Sequence, residues 1–315
     1  MKLLDQKRVK DFLEKVHTRG RVPGALLFFG PPGVGKTTAS LEFSKGLLCL
    51  ENTAWGCGKC VSCKELESIG EQILSGNWDK LSNYEERAGK KVFLYLSGEH
   101  PDFAYVPPSG NSLKIDQIRA LREFAYVKPA LSHRKVIIVD DVQTMTKEAS
   151  NALLKVLEEP PAGTHFILIS TGIEQVLPTI ISRTQRVEFS PLEEGSFYQL
   201  LGKEDRKLYE LSAGSLSTAI RLEEKKELFR LTKDFLSRDP LKVFRVSQSV
   251  EKLEDEDKAL FLDLLEEELK SHFINKGLNY DKFEMVLKRI EELRSGIGRG
   301  LRFSVGLLSL YRLWR

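Results

Sequence analysis

No run of about 18 apolar residues occurs in this 315-residue chain, so the sequence offers no segment able to cross a bilayer as a helix. Charge of one sign is equally scarce. With 48 Lys and Arg against 45 Asp and Glu, the net charge is +3, which by itself does not mark a nucleic-acid binder and leaves only local basic patches for that role. Cysteine is rare: all four lie between Cys49 and Cys63, and in a reducing compartment such a cluster points to a metal before it points to disulfides. A cleavable leader is not expected, because MKLLDQKRVKDFLEKV mixes acids and bases among its apolar positions and predicts an amphipathic helix; a cytoplasmic location follows. Internal repeats and low-complexity tracts are lacking. What remains, 41% hydrophobic and 30% charged, is a globular chain long enough for about two domains, or three if some are small.

Short apolar β-type runs alternate with helical patterns over the first 190 residues: ALLFF at 25–29, FAYV at 103–106, KVIIV at 135–139 and HFILIS at 165–170. That rhythm predicts an α/β domain around a buried parallel sheet. After Pro191 the sequence has helical periodicity, broken by Gly202, Gly214, Pro240, Gly277, Gly296 and Gly298, which predicts a small helical unit at about 190–224 and a larger bundle at about 225–315.

Gly30-Pro31-Pro32-Gly33-Val34-Gly35-Lys36-Thr37 fits G-x-x-x-x-G-K-[ST], directly after the ALLFF strand and before the helical run TTASLEFSKGLL, which starts at Thr37 and Thr38. The glycines let backbone N–H groups turn inward around phosphate oxygens. The helix N-terminus adds positive potential, Lys36 reaches the β- and γ-phosphates, and Thr37 can ligate Mg²⁺. Val136 to Asp141 reads as a buried strand ending in two carboxylates, with Asp140 on the metal side. Asp141 stands where ATPases of this type usually carry a water-orienting Glu; being one methylene shorter, it is a weak candidate, and efficient hydrolysis is not expected. Cys49, Cys57, Cys60 and Cys63 form C-x7-C-x2-C-x2-C. Four soft thiolates fill a tetrahedral zinc shell, which predicts a structural zinc that staples a loop too small to own a core.

With these three motifs in this order, the chain resembles bacterial clamp-loader subunits of DNA polymerase III, in the AAA+ superfamily. Further stretches carry the likeness: Gly24 to Phe28, His100-Pro101-Asp102, Ile115-Asp116-Gln117-Ile118-Arg119, and Thr146 to Pro161, TKEASNALLKVLEEPP. Ser182-Arg183-Thr184 stands where the family has Ser-Arg-Cys. The resemblance implies that Arg183 is an arginine finger offered to a neighbouring subunit's nucleotide, a role suited to a planar guanidinium; read alone, it is an ordinary surface arginine. Ser170 and Thr171 occupy the family's polar γ-phosphate sensor position, although short hydroxyls there serve equally as loop-start residues.

The resemblance implies a RecA-like AAA+ P-loop domain over 1–189 with a zinc module at 47–66, a helical lid over 190–224 and a helical collar that joins subunits over 225–315. ATP or ADP with Mg and a structural Zn are the implied cofactors. Gamma/tau and delta subunits, the sliding clamp and primed DNA are the implied partners, with no membrane; the chain would be a monomer alone and part of a hetero-oligomer in function. Two departures favour the delta-prime type, which donates a finger and hydrolyses weakly or not at all. These are Asp141 for Glu, and Ser217 where gamma/tau carries a sensor arginine after Gly-Ser-Leu. The alternative is a gamma/tau-like motor, and a more distant one is a AAA+ repair or branch-migration ATPase. Two further stretches carry expectations. Gly298 to Arg302 resembles the start of the collar helix, where Trp314 is either a subunit contact or a helix anchor. Residues 71–98, longer than the family's usual link, predict a solvated helix plus a strand.

Overall fold

The computed structural model describes residues 5–87, 89–237, 239–276, 280–297 and 302–314. Two compact units result, one of residues 1–204 with 214–217, the other of 205–213 with 218–315. The expected collar-helix start at Gly298–Leu301 lies outside the described residues, as do Met1–Leu4 of the N-terminal helix.

Strands β1 (Ala25–Phe29), β2 (Ser82–Arg87), β3 (Lys90–Leu96), β4 (Phe103–Val106), β5 (Lys135–Val139), β6 (Thr164–Ser170) and β7 (Gln185–Glu188) form one sheet in the order β2-β3-β4-β5-β6-β1-β7. From β4 to β7 every pairing is parallel, with Phe29 opposite Ser170 and Val139 opposite Leu168. Both faces are covered, so β1 and β5 are apolar at nearly every position. Leu26, Phe28, Val136 and Ile138 point into one core with α1 (Lys7–Thr18), α2 (Lys36–Leu47) and α3 (Val61–Ser75). Ala25, Leu27, Ile137 and Val139 point into the other, with α4 (Ile115–Tyr126) and α5 (Lys147–Glu158). Two short helices complete this unit, α6 (Pro178–Ile181) and α7 (Glu194–Leu201).

The sheet differs from expectation at its edges. Residues 71–98 hold the end of α3 and two antiparallel strands rather than a helix and one strand, so the sheet is mixed. The charged residues of this stretch mask an alternating strand: Leu94 and Leu96 are buried, and Tyr84 meets Phe93 edge-on at 5.7 Å with Lys91 over its ring. β7 is a further addition, too short and polar to stand out in the sequence.

The second unit is helical: α8 (Arg206–Leu211), α9 (Leu216–Glu224, which begins in the first unit), α10 (Lys226–Phe235), α11 (Pro240–Glu251), α12 (Asp255–Lys276), α13 (Tyr280–Gly296) and α14 (Phe303–Trp314). Phe235 is its aromatic centre, 6.1 Å from the rings of both Phe261 and Tyr311. Trp314 packs against Phe273 at 5.3 Å. Leu241 and Phe244 on α11 and Val305 on α14 stay exposed. No helix among the described residues is long and apolar enough to cross a membrane.

One polar chain ties the cysteine segment to the sheet. Asp102, fully buried, accepts the N–H groups of Ala130, Leu131 and Ser132 at 2.7–2.8 Å. Its own N–H donates to His100 Nδ1, so Nε2 carries the ring proton and donates to Ser62 Oγ at 2.8 Å. The hydroxyls of Ser62 and Ser132 both donate to the carbonyl of Leu48, the residue before Cys49. Burial pushes the His100 imidazole down to about 4. At pH 5 the unfolded chain therefore binds a proton that the folded one refuses, and stability rises with pH. His100 should cost up to about 3 kcal/mol as pH falls from 6.5 to 4. Denaturant unfolding of wild type and His100→Phe at pH 7.5 and 4.5 checks this: the wild type should lose more stability than the variant.

Candidate nucleotide site and cysteine cluster

Parallel strands release their chains at the same edge of a sheet, so the loops after β1, β4, β5 and β6 open together at their carboxyl ends. Gly30 to Gly35 leaves β1 and enters α2, whose first residue is Lys36. Gly33 has φ +67°, and a Cβ there would lie 2.2 Å from Ser217 Oγ, so only glycine lets the segment around Ser217 seat on the loop. The N–H of Leu216 donates to the Gly33 carbonyl at 3.3 Å. The Lys36 amine is buried and curls back to donate to the carbonyls of Gly30, at 2.6 Å, and Pro31. Burial pushes it down to about 8, against the pull of Asp140 and Asp141. A phosphate oxygen would compete with those carbonyls for the ammonium.

Asp140 follows β5, and its Oδ2 lies 3.4 Å from Thr37 Oγ1, so the sequence-predicted pair does meet. The protein packed around its carboxyl pushes it up to about 6, while the hydroxyl of Tyr105 donates to Oδ2 and pulls it back. Burial and Asp140 together keep that phenol protonated. Asp141 adopts the left-handed conformation at φ +49°, which Asp tolerates better than most residues, and its Oδ1 accepts from Gln143 Nε2 at 2.9 Å. Ser170 is buried and donates to the Gly172 carbonyl at 2.8 Å; Thr171 donates to Gln175. Both hydroxyls thus bond within their own loop at the carboxyl end of β6.

Arg183 lies between α6 and β7, about one-third exposed. Its Nη2 pairs with Glu158 at 2.6 Å, and its Nη1 donates to the Thr179 carbonyl and Ser182 Oγ. Three of five N–H donors are thus used. Sequence reasoning missed the roles of Tyr105, Glu158 and Gln6. Glu158 lies within the TKEASNALLKVLEEPP stretch, where its pairing could have been sought; Tyr105 precedes the end of a recognisable strand. Gln6 carries no sequence signal: its amide donates to Ser190 O at 2.6 Å and accepts from Ser190 N, tying α1 to the chain after β7.

The four cysteine sulfurs lie within 4.8 Å of one another. A tetrahedron with Zn–S bonds of about 2.3 Å places its sulfurs about 3.8 Å apart, so the cluster has the donor set and spacing of a zinc site. Backbone groups hold it: the N–H groups of Lys59 and Cys60 point at Cys57 Sγ, and that of Cys57 at Cys49 Sγ. Cys60 caps α3 by accepting from the Cys63 N–H. The loop also crosses α2 at Gly46, where a Cβ would lie 1.9 Å from the Ala54 carbonyl. Burial raises the Cys63 thiol to about 12, while the N–H groups of Cys60 and Lys59 lower Cys57. A metal's charge would deprotonate all four.

The glycine-rich loop, the strand ending in carboxylates and the sheet, parallel from β4 to β7 and covered on both faces, together define a P-loop fold. Within that class, the chain belongs to the family described as DNA polymerase III, delta subunit, which matches residues 5–75 and 78–193. Among its relatives, DNA polymerase III subunit delta' of Bacillus subtilis is 35% identical over 201 residues, 64% of this chain and 52% of the relative. Subunit delta' of Pseudomonas aeruginosa is 32% identical over 162 residues, 50% and 40% of the two chains. The gamma subunit of Buchnera aphidicola is 29% identical over 201 residues, 64% and 47%. The matched stretch is thus about half the length of these relatives.

Two outcomes follow from this geometry. An acid whose folded pKa is raised destabilises the fold increasingly as pH rises from about 4 through 6. In nucleotide-free protein at pH 8, Asp140→Asn, which keeps an acceptor for Tyr105, should therefore raise stability by about 1–2 kcal/mol in denaturant titrations. The purified chain should also carry one zinc by elemental analysis; Cys63→Ser should lose it and melt at a lower temperature.

Proposed function

We propose that the chain is a delta-prime-like clamp-loader subunit that binds nucleotide, hydrolyses it weakly or not at all, and presents Arg183 to the nucleotide of a neighbouring subunit. The observation that carries this reading is Ser217 at Gly33. The lid segment sits directly on the phosphate loop, yet the residue placed there has no cation to offer a γ-phosphate. Asp141, short and tied to Gln143, adds to it. Support for the complex comes from relatives that are delta' and gamma subunits of DNA polymerase III.

In this reading ATP or ADP lies in the Gly30–Gly35 loop, with Lys36 on its β- and γ-phosphates, Thr37 and Asp140 on its Mg ion, and Thr38, Ser170 and Thr171 lining the site. Magnesium, when bound, neutralises phosphate charge. The chain's own residues bind and orient; Arg183 acts elsewhere, stabilising charge on a phosphoryl group it does not itself hold. Residues 1–189, 190–224 and 225–315 serve as nucleotide domain, lid and collar, with the exposed Leu241, Phe244 and Val305 available to partner helices. Gamma/tau and delta subunits are the neighbours, and the sliding clamp and primed DNA the targets of the assembly, with salt-sensitive backbone contacts to DNA. Cys49, Cys57, Cys60 and Cys63 hold structural zinc. The intact Thr37–Asp140 pair favours a second reading, a gamma/tau-like motor.

Steady-state ATP turnover by the chain alone, with and without primed DNA, separates the two. The first reading expects nucleotide binding that Lys36→Ala abolishes, with negligible turnover. In a complex reconstituted with its partners, Arg183→Ala should lower turnover by about 10³-fold while leaving this chain's own nucleotide affinity unchanged. DNA-stimulated turnover by the isolated chain would establish the motor instead.

A further inference from the structure

Asp140 offers two carboxylate oxygens, and the strand ends assign them different donors. Oδ1 accepts the N–H of Asp141 at 2.9 Å. Oδ2 faces two hydroxyls, Thr37 across the phosphate loop at 3.4 Å and Tyr105 in closer contact. Thr37 belongs to the loop motif, whereas Tyr105 belongs to neither motif. It lies buried on β4, where it pairs with Ile138 of β5, and the next residue's carbonyl accepts the N–H of Asp140 at 2.9 Å. The parallel ladder that ends at Asp140 therefore also delivers the phenol to it.

We propose that Tyr105 is a positioning residue of the magnesium-nucleotide site, its hydroxyl fixing the rotation of the Asp140 carboxylate so that Oδ2 faces Thr37. This rests on reading the loop as a nucleotide site. The terminal torsion of Asp is broad and roughly two-fold, so a carboxylate anchored at Oδ1 alone keeps considerable freedom about it. A second anchor on Oδ2, from a ring locked in the core, removes that freedom before any ion arrives. One lone pair of Oδ2 remains for Thr37 or for a water of the ion's shell. Partners that orient a metal-side ligand typically contribute 10–100-fold to metal affinity.

The test titrates a fluorescent ADP against the chain alone, with magnesium and with chelator, and reads the ratio of the two dissociation constants. Wild type should bind more tightly with magnesium. Tyr105→Phe keeps the ring and removes only the donor, so it should lower that ratio about tenfold and leave affinity in chelator unchanged, because Lys36 and the loop amides are untouched. In an Asp140→Asn background, adding Tyr105→Phe should change the ratio no further. Zinc content and melting temperature report folding, and Tyr105→Leu is a second donor-free variant. An unchanged ratio in folded Tyr105→Phe overturns the proposal, as does loss of folding in both variants, which would assign the hydroxyl to the core. If wild type binds no nucleotide, or Lys36→Ala binds as well as wild type, it is the nucleotide reading itself that fails.

Discussion

In a parallel ladder every strand runs the same way, so the chain must cross over the sheet between neighbours and every strand delivers its carboxyl end to the same edge. In this protein that constraint brings Gly30 after β1, Asp140 after β5 and Ser170 at the end of β6 to one edge. The crossings are helices, and their apolar stripes bury the sheet on both faces. Thr37 and Asp140, more than 100 residues apart in the chain, meet because β1 and β5 both pair with β6. Loosening that ladder would separate the loop from its carboxylate.

The same edge concentrates groups whose charges the fold resists. Lys36 is buried and pushed toward neutrality, and Asp140 is pushed toward protonation. Asp141 holds a left-handed backbone conformation. None of these is what stability alone would select, and in the proposed nucleotide reading a phosphate and a divalent ion would relieve them. The helical second unit is packed mainly with apolar and aromatic residues, and ion pairs such as Arg294 with Asp263 and Glu266 are partly exposed.

The cysteine cluster depends on the sheet as much as on its own sulfurs. A C-x7-C-x2-C-x2-C segment has too few apolar residues for a core, and here Leu48 is held by Ser62, which leads through His100 to Asp102, and by Ser132, whose N–H donates to Asp102 directly. The His-Pro-Asp stretch, legible in the sequence only as a resemblance, is thus a joint. Asp102 satisfies three N–H groups of the 130–132 turn, and His100 reaches α3.

By itself the sequence determined the pieces whose physics is local. The glycine loop between strand and helix, the four thiols at metal spacing, the apolar runs of β1, β4, β5 and β6, and the helical second half each declare themselves within about 20 residues, because turn conformation, chelate geometry and periodicity act at that range. Only the tertiary structure decided what depends on neighbours distant in the chain. Charged residues hid the antiparallel β2–β3 pair, since strand alternation there is stabilised by Phe93 against Tyr84 rather than by an apolar run. It brought Tyr105 to Asp140, Glu158 to Arg183 and Ser217 to Gly33, pairings that no periodicity encodes, because side-chain contacts across strands follow from register and crossover.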